Sequence, residues 1–341
     1  MKPLRIHMEM DCAPGNLLRL TPGGTGEWEG CQFTVNPPDG ESSDFVVALG
    51  SVRPYVRLDC APANTLLIVV EPPAKKIYPR RYYDQFHHLV DSHTFGGHPR
   101  TEVNALGLPW HVGLERHTRA YRIGYDELTV MPEPTQRENK IAVVCSNVST
   151  TEGQRERLAF LAKLKDQLGD RIVHFGRGFQ PIDDKLDAIL PYRFQLVLEN
   201  CRSPNYWTEK LADTYLGWAL PLYVGCPNLN RFFPAESFVA LDVTDADGAA
   251  KRMRQLLDSA EDPARLMSVR KARHAILNTY NPFAWSARWA RQWHDPNCRK
   301  QTMVLRSHKA FRSFPLGWIY RFRSMLDRDQ CRRRSPSQTK G

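Results

Sequence analysis

Near the middle of this 341-residue chain, four polar residues stand between two short apolar runs: Glu199, Asn200, Glu209 and Lys210. Glu209 and Lys210 open a stretch in which Trp207, Leu211, Ala212 and Tyr215 recur at helical spacing. A helix start exposes unbonded N–H groups and a partial positive charge, and so favours an anion. Lys210 adds a full charge there, and Glu209 supplies an acceptor for hydroxyl groups. A phosphate beside a sugar is the simplest ligand that uses both. Taken alone, the two residues also read as a solvated ion pair early in a helix.

The elements that must position them follow from the apolar pattern. Residues 194–198 are long enough for a buried strand and too short for a helix; residues 219–224 form a second run, closed by Gly225. A helix between them, stopped at Gly217, makes a right-handed crossover of a parallel sheet. Ligands of such sheets bind beyond the carboxyl ends of the strands, where Glu199, Asn200 and Gly225 fall. The same pattern occurs once before. Residues 141–145 read as a strand ending in Ser146 and Asn147, then a helix carries Leu158, Leu161, Leu164 and Leu168, and residues 171–175 read as a strand ending in Gly176, Arg177 and Gly178. All these strand ends would line one edge of one sheet.

Composition bounds the class. The chain is 42% hydrophobic and 25% charged, which suits a globular protein with room for two domains. No apolar run approaches the ~20 residues that span a bilayer, and the amino terminus has no apolar core of a signal peptide. The expectation is a cytoplasmic protein. Eight cysteines are scattered without a C-x-x-C pair, so reduced core thiols are expected and zinc fingers are not. The net charge is +10, but residues 251–341 hold 21 Lys+Arg against 6 Asp+Glu, so the surplus belongs to the carboxyl-terminal end. There, residues 303–341 mix arginines with Phe, Trp, Ile, Tyr and Leu, a mixture suited to an anionic membrane surface. Arginine with aromatics also serves nucleic acid, but no nucleic-acid module accompanies it, and no such partner is expected.

The first 135 residues carry fewer signals. Residues 45–49 and 65–70 read as buried strands, the second ending at Glu71 before Pro72 and Pro73. At that strand end Glu71 reads as a general base facing a cleft; it reads equally as a surface carboxylate before a turn. His88, His93 and His98 are five apart, a spacing that shares neither a helix face nor a strand face, so no metal is expected from them. Asp245 and Asp247 spell D-x-D, read as a helix cap rather than a metal motif. Trp285, Trp289 and Trp293 form one helical stripe, read as packing.

The string FQLVLENCRSPNYWTEKL followed by GWALPLYVG resembles the signature of glycosyltransferase family 10, the α-1,3/1,4-fucosyltransferases, as a bacterial-type member without an anchor. The resemblance implies a GT-B architecture, two Rossmann-like α/β domains facing a cleft. The corresponding division is 1–135 (acceptor side), 136–300 (nucleotide-sugar binding) and 301–341 (a basic amphipathic tail). It also implies inverting transfer of L-fucose from GDP-fucose to an acceptor-glycan hydroxyl, in an α-1,3/1,4-type linkage. Glu71 would be the base, in a segment IVVEPPAKKIYPRRYYDQF that is similar to the family's more weakly. Arg157 rather than Arg155 would clamp the diphosphate with Lys210; Tyr206 and Asn200 would orient the donor, and Glu209 would hold the ribose. Ser146, Asn147, Arg177 and Glu199 complete the expected donor site. No metal or other cofactor is required if protein cations balance the diphosphate. The strand reads LVLENC where the family has an aromatic before the glutamate and Ser after the asparagine, and Trp207 replaces a β-branched residue; both departures bear on which sugar is accepted.

Overall fold

The computed structural model describes residues 2–11, 15–313 and 315–320. The chain divides into two compact units, one drawn from residues 1–13, 30–102 and 289–341, the other from 14–29 and 103–288.

The first unit opens with β1 (Leu4–Glu9), β2 (Cys31–Val35), β3 (Phe45–Leu49), β4 (Tyr55–Cys60) and β5 (Thr65–Ile68). A single helical turn, α1 (Arg80–Tyr83), and β6 (His88–Asp91) follow. Five of these strands pair in parallel in the order β2-β1-β3-β5-β6. Parallel strands are covered on both faces and therefore read as unbroken apolar runs; all five residues of β3 are buried. Tyr78, Tyr82, Tyr83 and Phe86 pack over Val46, Leu67 and Leu89 on one face.

The second unit contains α2 (Tyr125–Val130), β7 (Glu138–Val144), α3 (Glu152–Leu168), β8 (Ile172–Phe175) and β9 (Tyr192–Leu198). Next come α4 (Glu209–Leu216), β10 (Leu220–Val224) and β11 (Val239–Ala240). Its strands are all parallel, in the order β8-β7-β9-β10-β11. The helix α3 starts at a capping box, with Thr151 accepting from the Gln154 N–H. Three helices follow: α5 (Ala246–Asp258), α6 (Pro263–Asn278) and α7 (Pro282–Trp293), along which the chain passes from the second unit into the first. Asp245 caps α5 by accepting from the Gly248 N–H at 2.9 Å. Trp285 and Trp289 of α7 are buried, Trp289 stacking on Trp293 at 4.6 Å.

The last described strand is β12 (Gln301–Arg306), antiparallel to β4. The expected α/β class, two units each on a parallel sheet, is what the chain adopts. The linear division at 135 and 300 is not. Residues 103–135 belong with the second unit, where the Arg273 guanidinium binds the Leu128 carbonyl and Tyr125 Oη donates to Asn278 at 2.8 Å. Residues 301–306 are sheet rather than amphipathic tail, because Met303 and Leu305 alternate into the first unit's core while Thr302 and Val304 are exposed. Residues 321–341 of the expected tail lie outside the described residues. Among the described residues no helix is long and apolar enough to cross a membrane, and the six described cysteines are free.

Candidate active site

β9 ends at Leu198, and the next residue turns inward. The Glu199 side chain is fully enclosed. Its carboxylate accepts from the Thr208 N–H at 2.9 Å and from Thr208 Oγ at 2.9 and 2.8 Å. Thr208 is also the N-cap of α4, its hydroxyl accepting from the Lys210 N–H. One threonine thus ties the strand end to the helix start. Lys210 Nζ completes the knot, 3.4 Å from Glu199, 3.2 Å from Glu209 and 3.1 Å from Thr208 Oγ.

The electrostatics of this knot are internally balanced. Burial raises the Glu199 carboxyl above its usual range, against the pull of Lys210. Burial acts the same way on Glu209, but Lys210, Lys185 and His111 outweigh it and hold that carboxylate well below its usual range. Lys210 is held charged: Glu199 and Glu209 overcome a desolvation that favours the neutral amine. Lys210 is therefore a fixed cation backed by one fully buried carboxylate, with Glu209 as its more exposed neighbour. Glu199, expected in the donor site, is enclosed behind Lys210 rather than open on the rim.

A second pair comes from the adjoining crossover. Arg157, buried on α3, donates from Nη1 to Asn200 Oδ1 at 2.6 Å. Arg155 points elsewhere, to the Ser149 and Thr150 carbonyls. The start of α3 approaches the end of β9 so closely that a Cβ at Gly153 would collide with the Asn200 carbonyl. Farther along the edge lie half-buried Ser146, exposed Asn147 and exposed Arg177. The Asn147 N–H donates to the Arg177 carbonyl at 3.1 Å, and a left-handed Gly178, φ 87°, leaves room for the Asn147 amide. Strand order β8-β7-β9-β10 makes these ends contiguous, so the second unit gathers Arg177, Ser146, Asn147, Asn200, Arg157, Glu209 and Lys210 on one rim.

Tyr206 is buried, 6% exposed, in a loop pinned by its neighbour. Asn205 takes a left-handed backbone, φ 60°, and exchanges side-chain and backbone hydrogen bonds with Asn228 at 2.8 and 2.9 Å. Trp207 packs edge-on against Phe233 and Tyr280, so its departure from the resembled pattern is a matter of core packing.

Several residues of this site gave no signal in the sequence. Asp213, one turn beyond Glu209 on α4, is buried and accepts from the His111 and Val112 N–H groups at 2.8 and 3.2 Å. It also takes Lys185 Nζ at 2.6 Å. The His111 ring meets Tyr121 Oη at 3.1 Å, and the Arg19 guanidinium lies 3.4 Å over the Tyr121 ring. Residues from far earlier in the chain thus buttress the face of α4 that carries Glu209.

In the first unit, Glu71 lies three residues past β5, its carboxylate 2.7 Å from Lys75 Nζ and its side chain 28% exposed. Two other carboxyls sit at the same edge. Glu9 is consumed by Arg53 at 2.7 and 2.9 Å and by His7 at 2.9 Å. Asp91 closes β6, is 1% exposed, and is pushed up to about 7 by burial.

The three histidines sit in separate settings: His88 stacks on Trp293, His93 lies beside Phe95, and His98 bonds the Phe86 carbonyl. Among the described residues one trio, Glu115, His117 and Asp183, places ligand atoms within 4.8 Å of one another. Arg122 Nε occupies Glu115 at 2.6 Å, so a metal there would have to displace an ion pair.

The model of glycosyltransferase family 10 (fucosyltransferase), C-terminal part, matches residues 135–312, slightly more than half of the chain. The chain belongs to glycosyltransferase family 10. The family match covers every rim residue named above, and Glu71 lies outside it. A putative fucosyltransferase-like protein of Arabidopsis thaliana is 31% identical over 136 residues, 38% of this chain and 26% of that protein. The α-(1,3)-fucosyltransferase FucT of Helicobacter pylori is 28% identical over 165 residues, 46% of this chain and 32% of FucT. Human FUT6, a 4-galactosyl-N-acetylglucosaminide 3-α-L-fucosyltransferase, is 28% identical over 158 residues, 45% of this chain and 42% of that enzyme. These matches span less than half of each relative's length. Among solved structures, an α1,3-fucosyltransferase with GDP-fucose aligns over 82% of this chain and 90% of its own, at 16% identity and a TM-score of 0.42.

Proposed function

We propose that this family 10 member transfers L-fucose from GDP-fucose to a hydroxyl of an acceptor glycan, in an α-1,3/1,4-type linkage and with inversion at the anomeric carbon. The observation that carries the reading is the Lys210 ammonium fixed at the start of α4 beside Glu209, with Arg157 of α3 bonded to Asn200 at the adjoining strand end. A nucleotide diphosphate placed there meets a helix start and two cations. Arg157 and Lys210 offset the charge that grows on the departing GDP, each worth about 10²–10³ in rate by analogy with oxyanion donors. Glu209 accepts from ribose hydroxyls, and Asn200 and Tyr206 orient the donor. Glu71 takes the proton from the acceptor hydroxyl. Because Lys210 and Arg157 provide the positive charge, no metal or other cofactor is needed in this mechanism.

We also place the protein in the cytoplasm, peripheral at the inner face of the membrane. Leu316, Trp318 and Ile319 are 60, 66 and 43% exposed, ahead of the arginine-rich end of the chain. Anionic vesicles should retain the full chain and not one ending at Lys309.

The deciding experiment is a glycan-array and lipopolysaccharide-acceptor screen with labelled GDP-fucose, run with and without EDTA on wild type, Lys210→Ala and Glu71→Gln. Wild-type transfer should survive EDTA, fall by about 10²-fold or more in Lys210→Ala, and fall in kcat with little change in donor KM in Glu71→Gln. Turnover of another GDP- or UDP-sugar with none of GDP-fucose would replace the donor in this reading while leaving the family untouched.

A further inference from the structure

The carboxyl edge of the second sheet carries the site above; its amino edge carries a cavity of about 310 Å³. Phe194, near the start of β9, and Leu220, the first residue of β10, contribute its floor, with Leu256 of α5 and Val269 of α6. One wall is Trp218, held in a left-handed backbone at φ 66°. That conformation is costly for a bulky residue and marks a side chain held in place by its surroundings. The Arg273 guanidinium lies 4.2 Å over the Trp218 ring and braces it.

Above this apolar floor stand four arginines against two carboxylates, Glu261 and Asp262. Arg137 is committed, with Nη2 2.5 Å from Glu261 and Nη1 2.6 Å from the Trp218 carbonyl. Arg193 is bonded to Asn139 at 2.7 Å and lies 4.0 Å from Glu261. Arg252 and Arg265 are held far more loosely. Arg252 is exposed and meets Gln255 at 3.4 Å, and Arg265 is 3.8 Å from Asp262 and 3.3 Å from the Glu236 carbonyl. The lining therefore combines an apolar, aromatic interior with two planar cations in weak hydrogen bonds, each a fork that suits a carboxylate, sulfonate or phosphate. Ligand pockets have this make-up: mostly apolar walls and a few placed polar groups, at volumes from about 300 Å³.

We propose that this cavity is a second binding site, for a small amphipathic anion with a flat apolar body. The body lies on Phe194 and Leu220 against Trp218, and the anionic group takes Arg252 and Arg265. The site is separate from the nucleotide rim. β9 runs the depth of the sheet between them, and at about 3.3 Å per residue the two edges are roughly 20 Å apart.

The test uses the full-length protein and two probes of equal shape, 2-naphthoate and neutral 2-naphthalenemethanol, titrated calorimetrically. Naphthoate should bind with a Kd below about 1 mM, and the alcohol at least about tenfold more weakly. In the double variant Arg252→Ala/Arg265→Ala, with unchanged melting temperature, naphthoate should weaken at least about tenfold while the alcohol stays as it was. Lys210→Ala should leave naphthoate binding unchanged. Equal affinity for acid and alcohol, no binding of either, an unaltered double variant, or loss of binding in Lys210→Ala would each overturn the proposal.

Discussion

At the scale of single residues, the site turns on how buried charge is compensated. Lys210 retains its proton because two carboxylates flank it, and of these only Glu209 is exposed enough to serve a ligand. Asp91 is the opposite case, a carboxyl buried 3.4 Å from a His93 nitrogen and otherwise taking only local hydrogen bonds. Its folded value, about 7, lies above the ordinary 3.8. Between those two pH values the folded state keeps a proton that the unfolded chain has released, so Asp91 stabilises the fold fully below about pH 4 and loses that contribution as pH rises toward 7. The slope should reach at most about 1.4 kcal/mol per pH unit. His93 is shifted down by burial and contributes with the opposite sign. Comparing wild type with Asp91→Asn isolates the carboxyl: urea midpoints measured from pH 4 to 7 should fall more steeply with pH in wild type. Parallel curves would refute the buried-acid account.

At the scale of elements, the decisive joint is between β9 and α4, and Thr208 makes it. Removing its hydroxyl takes away an N-cap and the Thr208 Oγ contacts with Glu199, leaving that enclosed carboxylate with a backbone N–H and Lys210. Thr208→Ala should cost about 1–3 kcal/mol and weaken GDP binding, read by thermal melting and calorimetry. Thr208→Ser should restore both; failure of serine to rescue would assign the role to the methyl group. The strands and helix on either side of this joint were legible in the sequence. Runs 194–198 and 219–224 are apolar except for Gln195 because a parallel strand is covered on both faces, and Gly217 marked the helix end. The joint's supports were not legible. Asp213 is held by N–H groups 101 and 102 residues earlier, and Lys185 reaches it across 28; no local period encodes such partners. The enclosure of Glu199 was not legible for the same reason, since a strand-end carboxylate looks alike whether it faces solvent or turns inward.

At the scale of the whole molecule, the buried parallel strands read well in both units, β3 and β5 as much as β9 and β10, and the weakly periodic segments between and after them did not. Residues 15–29 and 103–135 lack strong periodicity, and what assigns them to the second unit is contact: Asn281 bonds the Leu20 carbonyl at 2.7 Å, and Arg19 the Trp110 carbonyl at 2.9 Å. The strand β12 was hidden among basic residues that masked its alternation. It is more than an edge ornament. Lys300 pairs with Asp44 at 2.6 Å, Arg306 exchanges backbone bonds with the Gln85 side chain, and His308 Nδ1 meets Ser51 Oγ at 2.6 Å. Relative to a chain ending at Tyr320, one ending at Lys300 should lose the cooperative melting transition of the first unit or become insoluble. An unchanged melt would show β12 to be dispensable.

The return of the chain to its starting unit also sets an order of events during synthesis. β1 to β6 leave the ribosome early, yet the strand that covers β4 follows some two hundred residues later, roughly 10–40 s at about 5–20 residues per second. For that interval the nascent protein carries β4 without β12 beside it, and a core without Leu305, while its family-matched half is still being made. Expression at slower elongation, or with more holding chaperone, should therefore change the soluble yield of this protein more than that of a neighbour whose domains close in sequence order.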